Sequence, residues 1–185
     1  MRIERLEPLF PALTAPRVRH FLLTPGPNIP NNPRLPVLYY PNVLPGERDG
    51  EQAFRTRLAA HGWSGVWIDG IYDYVHYHAS AHEFLGVIRG RALLALGGPG
   101  GVEFEVQAGD ALVLPAGTGH CNIDSSNDFL VIGAYPRGQQ WDLCRVKQDQ
   151  APQASKIIAA VALPASDPLF GEDGPLLALW SVQQD

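Results

Sequence analysis

The stretch HYHASAHEFLGVIRG, residues 76–90, places three of the six histidines of the chain and a glutamate within eight consecutive positions. Successive side chains of a β-strand point to opposite faces, so His76 and His78 share one face. Glu83 lies an odd number of residues beyond His78, and it joins that face only if the small residues between them form a turn. We therefore predict that two imidazoles and one carboxylate converge from two adjacent antiparallel strands.

His120 is the candidate for a fourth member of this cluster. It ends the segment GDALVLPAGTGH, residues 109–120, which predicts a strand followed by a proline-glycine turn that returns the chain over the same cavity. Three neutral imidazoles and a carboxylate suit a divalent iron, manganese, nickel, copper, cobalt or zinc ion. Four protein ligands leave two octahedral positions for water, O₂ or a bidentate substrate, which is typical of an open site.

Other interpretations of these residues stay open at this point. Two histidines separated by one residue on a strand also occur on surfaces and in cores without a metal ion. His82 points away from the predicted cavity by strand alternation, which places it behind the ligands or in solvent. We expect His20 and His61 at the surface, and Cys121, beside the presumed ligand His120, as a buried structural thiol.

The tyrosines and arginines near the cluster have less specific predictions. Tyr72, Tyr74 and Tyr77 are expected to pack the barrel or to line its mouth. By strand alternation Arg89 and Arg91 point to the same face as Glu83, but two guanidinium groups inside a small barrel would be costly without partners. We therefore expect both arginines at the end of their strand, in contact with solvent.

Composition excludes several classes of protein. The 185 residues are enough for one domain with a sizeable core, with 45% hydrophobic residues and a net charge of −5. The acidic balance and the lack of a basic run argue against a nucleic-acid partner. No segment approaches the roughly 20 apolar residues of a membrane span, and the N-terminus does not resemble a signal peptide. Two cysteines are too few for a disulfide framework, so we expect a cytoplasmic protein without a membrane partner.

We predict a single domain in three parts. Residues 1–45 form a proline-rich N-terminal arm, in which LPVLYY can pair as an edge strand. Residues 46–150 form the barrel, led by a helix over 47–62 that ends near a glycine. Residues 151–185 pack on the barrel, where IIAAVALP and LLALW are either two strands or a short helix and a strand.

The middle of the chain predicts a mainly β fold. From about residue 66, short apolar segments alternate with glycine-rich and proline-rich turns, which is typical of an antiparallel sandwich or closed barrel. Turns are predicted at GGPGG, AGD and PAGTG. The predicted strands are GVWIDGI, YDYVHYH, EFLGVIR, RALLALG, VEFEVQ, ALVLP, DFLVIGAY and DLCRV.

Two segments together resemble the paired sequence motifs of the cupin superfamily. The first matches at Gly70, His76, His78, Glu83 and Gly90, and the second at Gly109, Pro115, Gly117 and His120. The asparagine that usually closes the second motif is replaced here by Asp124. The stretches NNPRLPVLYYPNVL, HGWSGVWIDGIYDYVHYH, GAYPRGQQWDLC and SDPLFGEDGPLLALW further resemble the YjlB-like group of bacterial single-domain cupins.

This resemblance implies a jelly-roll barrel of the RmlC-like type over roughly residues 66–146, with a short N-terminal extension and one or two helices. It also implies that His76, His78, Glu83 and His120 are metal ligands. A homodimer is a further expectation, formed if the N-terminal segment adds a strand across a neighbouring copy.

Two hypotheses for function follow from the cluster and the resemblance. The leading one is a metal-dependent enzyme of the oxygenase or isomerase type that acts on a small polar or acidic metabolite inside the barrel. Hydrolysis is less favoured, because no second carboxylate or free histidine is evident as a dedicated general base. The alternative is a non-catalytic barrel that binds a metal or metabolite for sensing, storage or structure.

Overall fold

A computed structural model describes residues 17–45, 49–146 and 151–181, and within them two antiparallel sheets carry three helices. One sheet has the spatial order β1 (Arg19–Phe21), β2 (Val37–Tyr40), β8 (Ala111–Leu114), β5 (Glu83–Arg89), β10 (Leu130–Pro136) and β3 (Trp63–Asp69). The other has the order β11 (Cys144–Arg145), β4 (His76–Tyr77), β9 (His120–Ser125), β6 (Arg91–Leu96) and β7 (Val102–Gln107). The helices are α1 (Gly50–Ala60), α2 (Ala151–Ala159) and α3 (Pro175–Ser181). The mainly β, jelly-roll prediction is therefore confirmed.

The central strands of the six-stranded sheet are buried on both faces, and this explains the nearly continuous apolar run of β5. Leu85 and Val87 point into the core between the two sheets. Phe84 points to the other face, into a second core shared with Phe54 of α1 and Trp180 of α3. Because side chains alternate along a strand, a shift of one residue in register would exchange these two cores, so burial on both faces fixes the register.

Helix α1 forms where the sequence predicts a helix. The Asp49 side chain caps its start by accepting the Gln52 N–H at 3.0 Å, and Gly62, with φ +73°, follows its end. Its buried face carries Phe54 and Leu58, four residues apart. Of the predicted span 47–62, residues 47 and 48 lie outside the described part of the chain.

Two predictions for the terminal segments are wrong. The C-terminal apolar pair forms helices α2 and α3, not two strands or a helix and a strand. Both helices bury residues four apart, Ala154 with Ile158 and Leu176 with Trp180, which is the spacing of a helical face. The segment LPVLYY is also not an edge strand, because β2 pairs with β1 on one side and β8 on the other.

The strand predictions between residues 63 and 146 are mostly confirmed, with three differences. The predicted strands YDYVHYH and DLCRV are each reduced to two residues, in β4 and β11. Strand β9, HCNIDS, was not predicted, because it is mostly polar and lacks the apolar alternation of a core strand. The predicted three-part division at 1–45, 46–150 and 151–185 stays a prediction. Within the described residues no helix is both long and apolar enough to cross a membrane.

A buried aspartate attaches the C-terminal segment to the barrel. Asp167 is fully buried, and one of its carboxylate oxygens accepts the Tyr40 hydroxyl at 2.7 Å and the Leu176 N–H at 3.1 Å. Its other oxygen accepts the N–H groups of Leu169 and Phe170. Four hydrogen bonds to one buried carboxylate couple strand β2 to the start of α3.

We expect the substitution Asp167→Ala to lower the free energy of unfolding by about 3–5 kcal/mol, since it leaves several buried donors without an acceptor. The matched control is Asp173→Ala, which removes an exposed carboxylate from the same loop and is expected to change stability by less than about 0.5 kcal/mol. Urea denaturation of both variants measures the difference, and equal midpoints would contradict this role of Asp167.

Candidate metal centre

The predicted cluster assembles at the junction of the two sheets. His76 on β4 and His120 on β9 are direct partners in the strand register. His78 follows the end of β4, and Glu83 opens β5. One ring nitrogen from each histidine lies within 4.8 Å of the others, and all three residues are buried, so the three imidazoles form a group that could hold a metal ion.

The turn between His78 and Glu83 is held by a residue from a distant loop. The Asp142 carboxylate accepts the N–H groups of Ala79 at 2.7 Å and Ser80 at 3.1 Å. The His78 carbonyl accepts the N–H of Gly117, in the turn that precedes His120, at 2.7 Å. These bonds hold the predicted turn between His78 and Glu83, and Glu83 therefore shares the cavity with the histidines.

Backbone carbonyls fix the tautomer of each histidine. The Nδ1 atoms of His76 and His120 lie 3.1 and 3.0 Å from the carbonyl oxygens of Tyr74 and Thr118, and His78 Nδ1 bonds to the Asp142 carbonyl. A carbonyl oxygen only accepts hydrogen bonds, so every Nδ1 carries the proton. In the neutral rings this leaves the lone pair on Nε2, the arrangement that is common in metal-binding histidines.

The Glu83 carboxylate lies against two of these Nε2 atoms. Its Oε1 is 3.2 Å from Nε2 of His78 and accepts the Tyr135 hydroxyl at 3.0 Å. Its Oε2 is 3.4 Å from Nε2 of His120 and is buried without a hydrogen bond. A buried carboxylate oxygen without a donor is costly, and a cation beside it would remove that cost. The donor set and this oxygen therefore fit a divalent ion with nitrogen and oxygen ligands.

The environment of the cluster gives His76 and His78 very different pKa values. Burial and the charge of His120 lower the pKa of His76 to about 4. Burial also acts to lower the pKa of His78, but Glu83 and the Asp142 backbone raise it overall to about 9. Burial acts to raise the pKa of the Glu83 carboxyl, but the neighbouring imidazoles outweigh burial and hold that pKa below its usual range. Without a cation, one proton therefore sits between His78 and Glu83 at neutral pH.

A cavity of about 320 Å³ opens above the cluster, and its walls are mainly aromatic and aliphatic. Tyr135 accepts the Trp67 indole N–H at 2.9 Å, while its own hydroxyl donates to Glu83. Burial and the charge of Glu83 raise the pKa of the Tyr135 phenol well above its usual value, so it keeps its proton. Trp67 in turn lies over Gly133, where a β-carbon would be 2.0 Å from the indole.

The remaining histidines lie outside the cavity lining. His20 is exposed and His61 is half-buried. His82 is buried and faces away from the cavity, where its Nδ1 accepts the Ala116 N–H at 3.0 Å and its ring packs on Trp180. Its position behind the cluster agrees with strand alternation, and burial lowers its pKa to about 4.

The other residues near the cluster fall into distinct environments. Cys121 is a buried free thiol whose pKa is raised by burial. Tyr72 lines the cavity mouth, whereas Tyr77 packs in a separate core beside α2. Arg89 and Arg91 are exposed at the ends of their strands, as predicted.

Several cavity residues were not identified from the sequence. Tyr135 points inward from β10 with Val131 and Gly133, a signal available from alternation along that strand. Trp141 lies in a loop, for which alternation gives no rule. Asp69, at the exposed end of β3, adds a carboxylate to the cavity wall where none was predicted.

Comparison with known proteins assigns the family. Residues 68–131 match the family model described as Cupin domain. The chain is 42% identical over 152 residues to the uncharacterized protein YjlB of Bacillus subtilis (strain 168), covering 82% of this chain and 90% of that protein. The chain belongs to the YjlB-like cupins.

Solved structures with weaker similarity to this cupin include two metalloproteins. The acireductone dioxygenase from Bacillus anthracis with a cadmium ion matches with a TM-score of 0.38 and 16% identity, over 56% of this chain and 79% of that one. The oxalate decarboxylase of Bacillus subtilis with Mn(II) centres matches with a TM-score of 0.36 and 17% identity, over 64% of this chain and 29% of that one.

We expect Tyr135→Phe to weaken metal binding by about 10–100-fold, the usual effect of removing a partner that orients a ligand. The change leaves the ring in place and removes only the hydroxyl between Trp67 and Glu83. Tyr39→Phe is the matched control, because it removes a similar tyrosine–carboxylate bond, 2.9 Å to Asp110, outside the cavity lining. Competition titration with a chromophoric chelator measures both affinities, and equal affinities for the two variants would contradict the role of Tyr135.

We expect metal binding at pH 7.5 to release about one proton, because His78 has a pKa of about 9 in the metal-free cluster and its Nε2 must be deprotonated to bind a metal. The release should disappear as the pH rises above that pKa. Calorimetric titration in two buffers with different ionisation enthalpies measures the number of protons. An enthalpy that is independent of the buffer at pH 7.5 would show that His78 is already neutral.

Proposed function

We propose that this cupin is a metal-dependent enzyme of the oxygenase or isomerase type, with a divalent ion bound by His76, His78, Glu83 and His120. The single observation that carries the proposal is the convergence of three carbonyl-oriented imidazoles and one carboxylate at the base of an open cavity. The ion belongs to the iron, manganese, cobalt, nickel, copper and zinc group, because nitrogen-rich mixed sites favour these metals.

An ion of this kind polarises a bound carbonyl or carboxylate and lowers the pKa of bound water. The residues of the chain supply the remaining functions. Glu83 balances positive charge in the buried site, and Tyr135 holds a proton at its hydroxyl beside that carboxylate. The apolar walls exclude water around a bound small molecule. Asp69 is the carboxylate in the cavity lining that remains outside the ligand set, and its place at the mouth makes it the candidate to exchange protons with solvent.

An open cavity favours an enzyme or a ligand-binding protein over a purely structural ion. A structural ion is usually closed off by its four protein ligands, whereas a catalytic ion keeps a position for water or substrate. Here the histidines and Glu83 line a volume of about 320 Å³ together with residues from the loop after β10. The space above the cluster is large enough for a single-ring molecule.

We also propose a cytoplasmic location and a small molecule as the binding partner. A net charge of −5 supports a protein without a nucleic-acid partner, and two free cysteines suit a reducing cytoplasm. A small-molecule substrate is the partner that the cavity favours. The homodimer stays a prediction.

Elemental analysis of protein purified without chelators or affinity metals tests the site. We expect near-stoichiometric binding of one metal of this group in the wild type and its loss in His78→Ala and His120→Ala. The control His20→Ala removes an exposed histidine and should retain the metal. A wild type that stays metal-free after reconstitution would overturn the proposal.

A second measurement separates catalysis from binding alone. Oxygen uptake and product analysis with a panel of hydroxy and oxo acids should give turnover in the metal-loaded wild type and none in His78→Ala. Metal binding together with no turnover for any acid in the panel would favour a non-catalytic binding barrel. Chelation gives an independent criterion, because a structural ion predicts a steep loss of melting temperature on metal removal.

A further inference from the structure

The walls of the cavity differ in character from its floor. The floor is the polar cluster of histidines and Glu83. The walls carry Trp67, Leu85, Tyr135, Trp141 and Leu143, and among the described residues that line the cavity none is a lysine or arginine. The cavity therefore offers a large apolar surface above the polar floor, with the Asp69 carboxylate at its mouth.

The outer wall is formed by apolar side chains that remain in contact with water. Trp141 is 53% exposed and Leu143 is 40% exposed, and both line the cavity. One face of the Trp141 indole stacks on Tyr135, with centroids 5.9 Å apart and planes at 16°, and its ring stands at 84° to that of His78. A flat apolar group seated here would cover exposed indole and leucine, and burial of apolar surface would favour its binding.

The charged residues near the cavity limit how many negative groups a ligand can carry. The arginine nearest in sequence to this wall, Arg145, lies over the ring of Tyr74 at 4.3 Å and does not line the cavity. Asp69, at the mouth, would repel an anion. A ligand with one negative group can place it on the metal, but a second carboxylate or a phosphate would be buried without a positive partner.

We propose that the cavity selects a small molecule with an oxygen-chelating head, at most one negative charge, and an apolar ring as its body. This inference rests on the proposed metal site and specifies the substrate class of that site. It narrows the expected polar or acidic metabolite to a monoanionic or neutral compound. Dicarboxylates and sugar phosphates are excluded as preferred substrates.

Three α-hydroxy acids with the same chelating head test the proposal on Co(II)-loaded protein. Mandelate carries a phenyl ring, lactate a methyl group, and malate a second carboxylate. Calorimetry and the visible absorption of Co(II) report binding. We expect mandelate to bind at least 10-fold more tightly than lactate, and malate no more tightly than lactate.

Variants at the outer wall test which residues cause the preference for mandelate. Trp141→Ala should weaken mandelate at least 5-fold and leave lactate within 2-fold. Leu143→Arg adds the missing cation and should strengthen malate at least 5-fold. The control Ile157→Ala removes an exposed apolar side chain outside the cavity lining and should change none of the three affinities. Circular dichroism confirms the fold of each variant.

The possible outcomes separate the two proposals. Equal affinity for mandelate and lactate, or a preference for malate, in protein that binds Co(II) stoichiometrically would overturn the substrate class and leave the metal site intact. Failure of the wild type to bind Co(II) would overturn both proposals, because the chelating head would have no partner. Loss of mandelate binding in Ile157→Ala would contradict the assignment to this cavity.

Discussion

Three backbone carbonyl oxygens determine what the histidine cluster can do. By accepting hydrogen bonds from Nδ1 of His76, His78 and His120, they leave the free lone pair of each neutral ring on Nε2, and the Nε2 atoms of His78 and His120 lie against Glu83. Three lone pairs and a carboxylate in a buried space repel one another unless a proton or a cation lies between them. In the absence of a cation, the proton provides this positive charge, and it is held on His78, whose pKa is raised by Glu83.

The rest of the fold holds these carbonyls and rings in register. Two of the carbonyls lie two residues before their own histidine, so the local backbone orients His76 and His120. The third comes from Asp142, whose carboxylate also holds the turn before Glu83. Behind the cluster, His82 accepts the Ala116 N–H and packs on Trp180. Through this contact, helix α3 supports the turn that leads to His120.

The sequence was sufficient for the parts of the site that follow strand alternation. His76 and His78, which are separated by one residue, had to share a face of their strand. A turn of small residues was enough to bring Glu83 to the same face. The N-terminal arm and the C-terminal helices were harder, because the residues of LPVLYY indicate a strand but not its place in a sheet, and LLALW is a short apolar run that fits either strand or helix. Only packing decides them: β2 is buried between two strands, and α3 buries Leu176 and Trp180 against the sheet.

Long-range contacts account for what the sequence could not supply. Strand β9 is polar over most of its length and exists because it pairs with β4 and β6. Trp141 reaches the cavity from a loop, and its position depends on stacking with Tyr135. Asp142 contacts residues 62 and 63 positions earlier in the chain, a pairing with no local signal. The four residues of the cluster were thus accessible to prediction from the sequence, whereas the walls of the cavity were not.

The number of imidazoles bound to the metal tests the central claim most directly. X-ray absorption fine structure of the Zn(II)-loaded protein measures it through the outer-shell scattering of the rings. We expect three imidazoles with Zn–N distances of about 2.0–2.1 Å, together with oxygen ligands, and two imidazoles in His76→Ala. A first shell of oxygen alone, or a single imidazole, would contradict a metal centre built from these three oriented histidines.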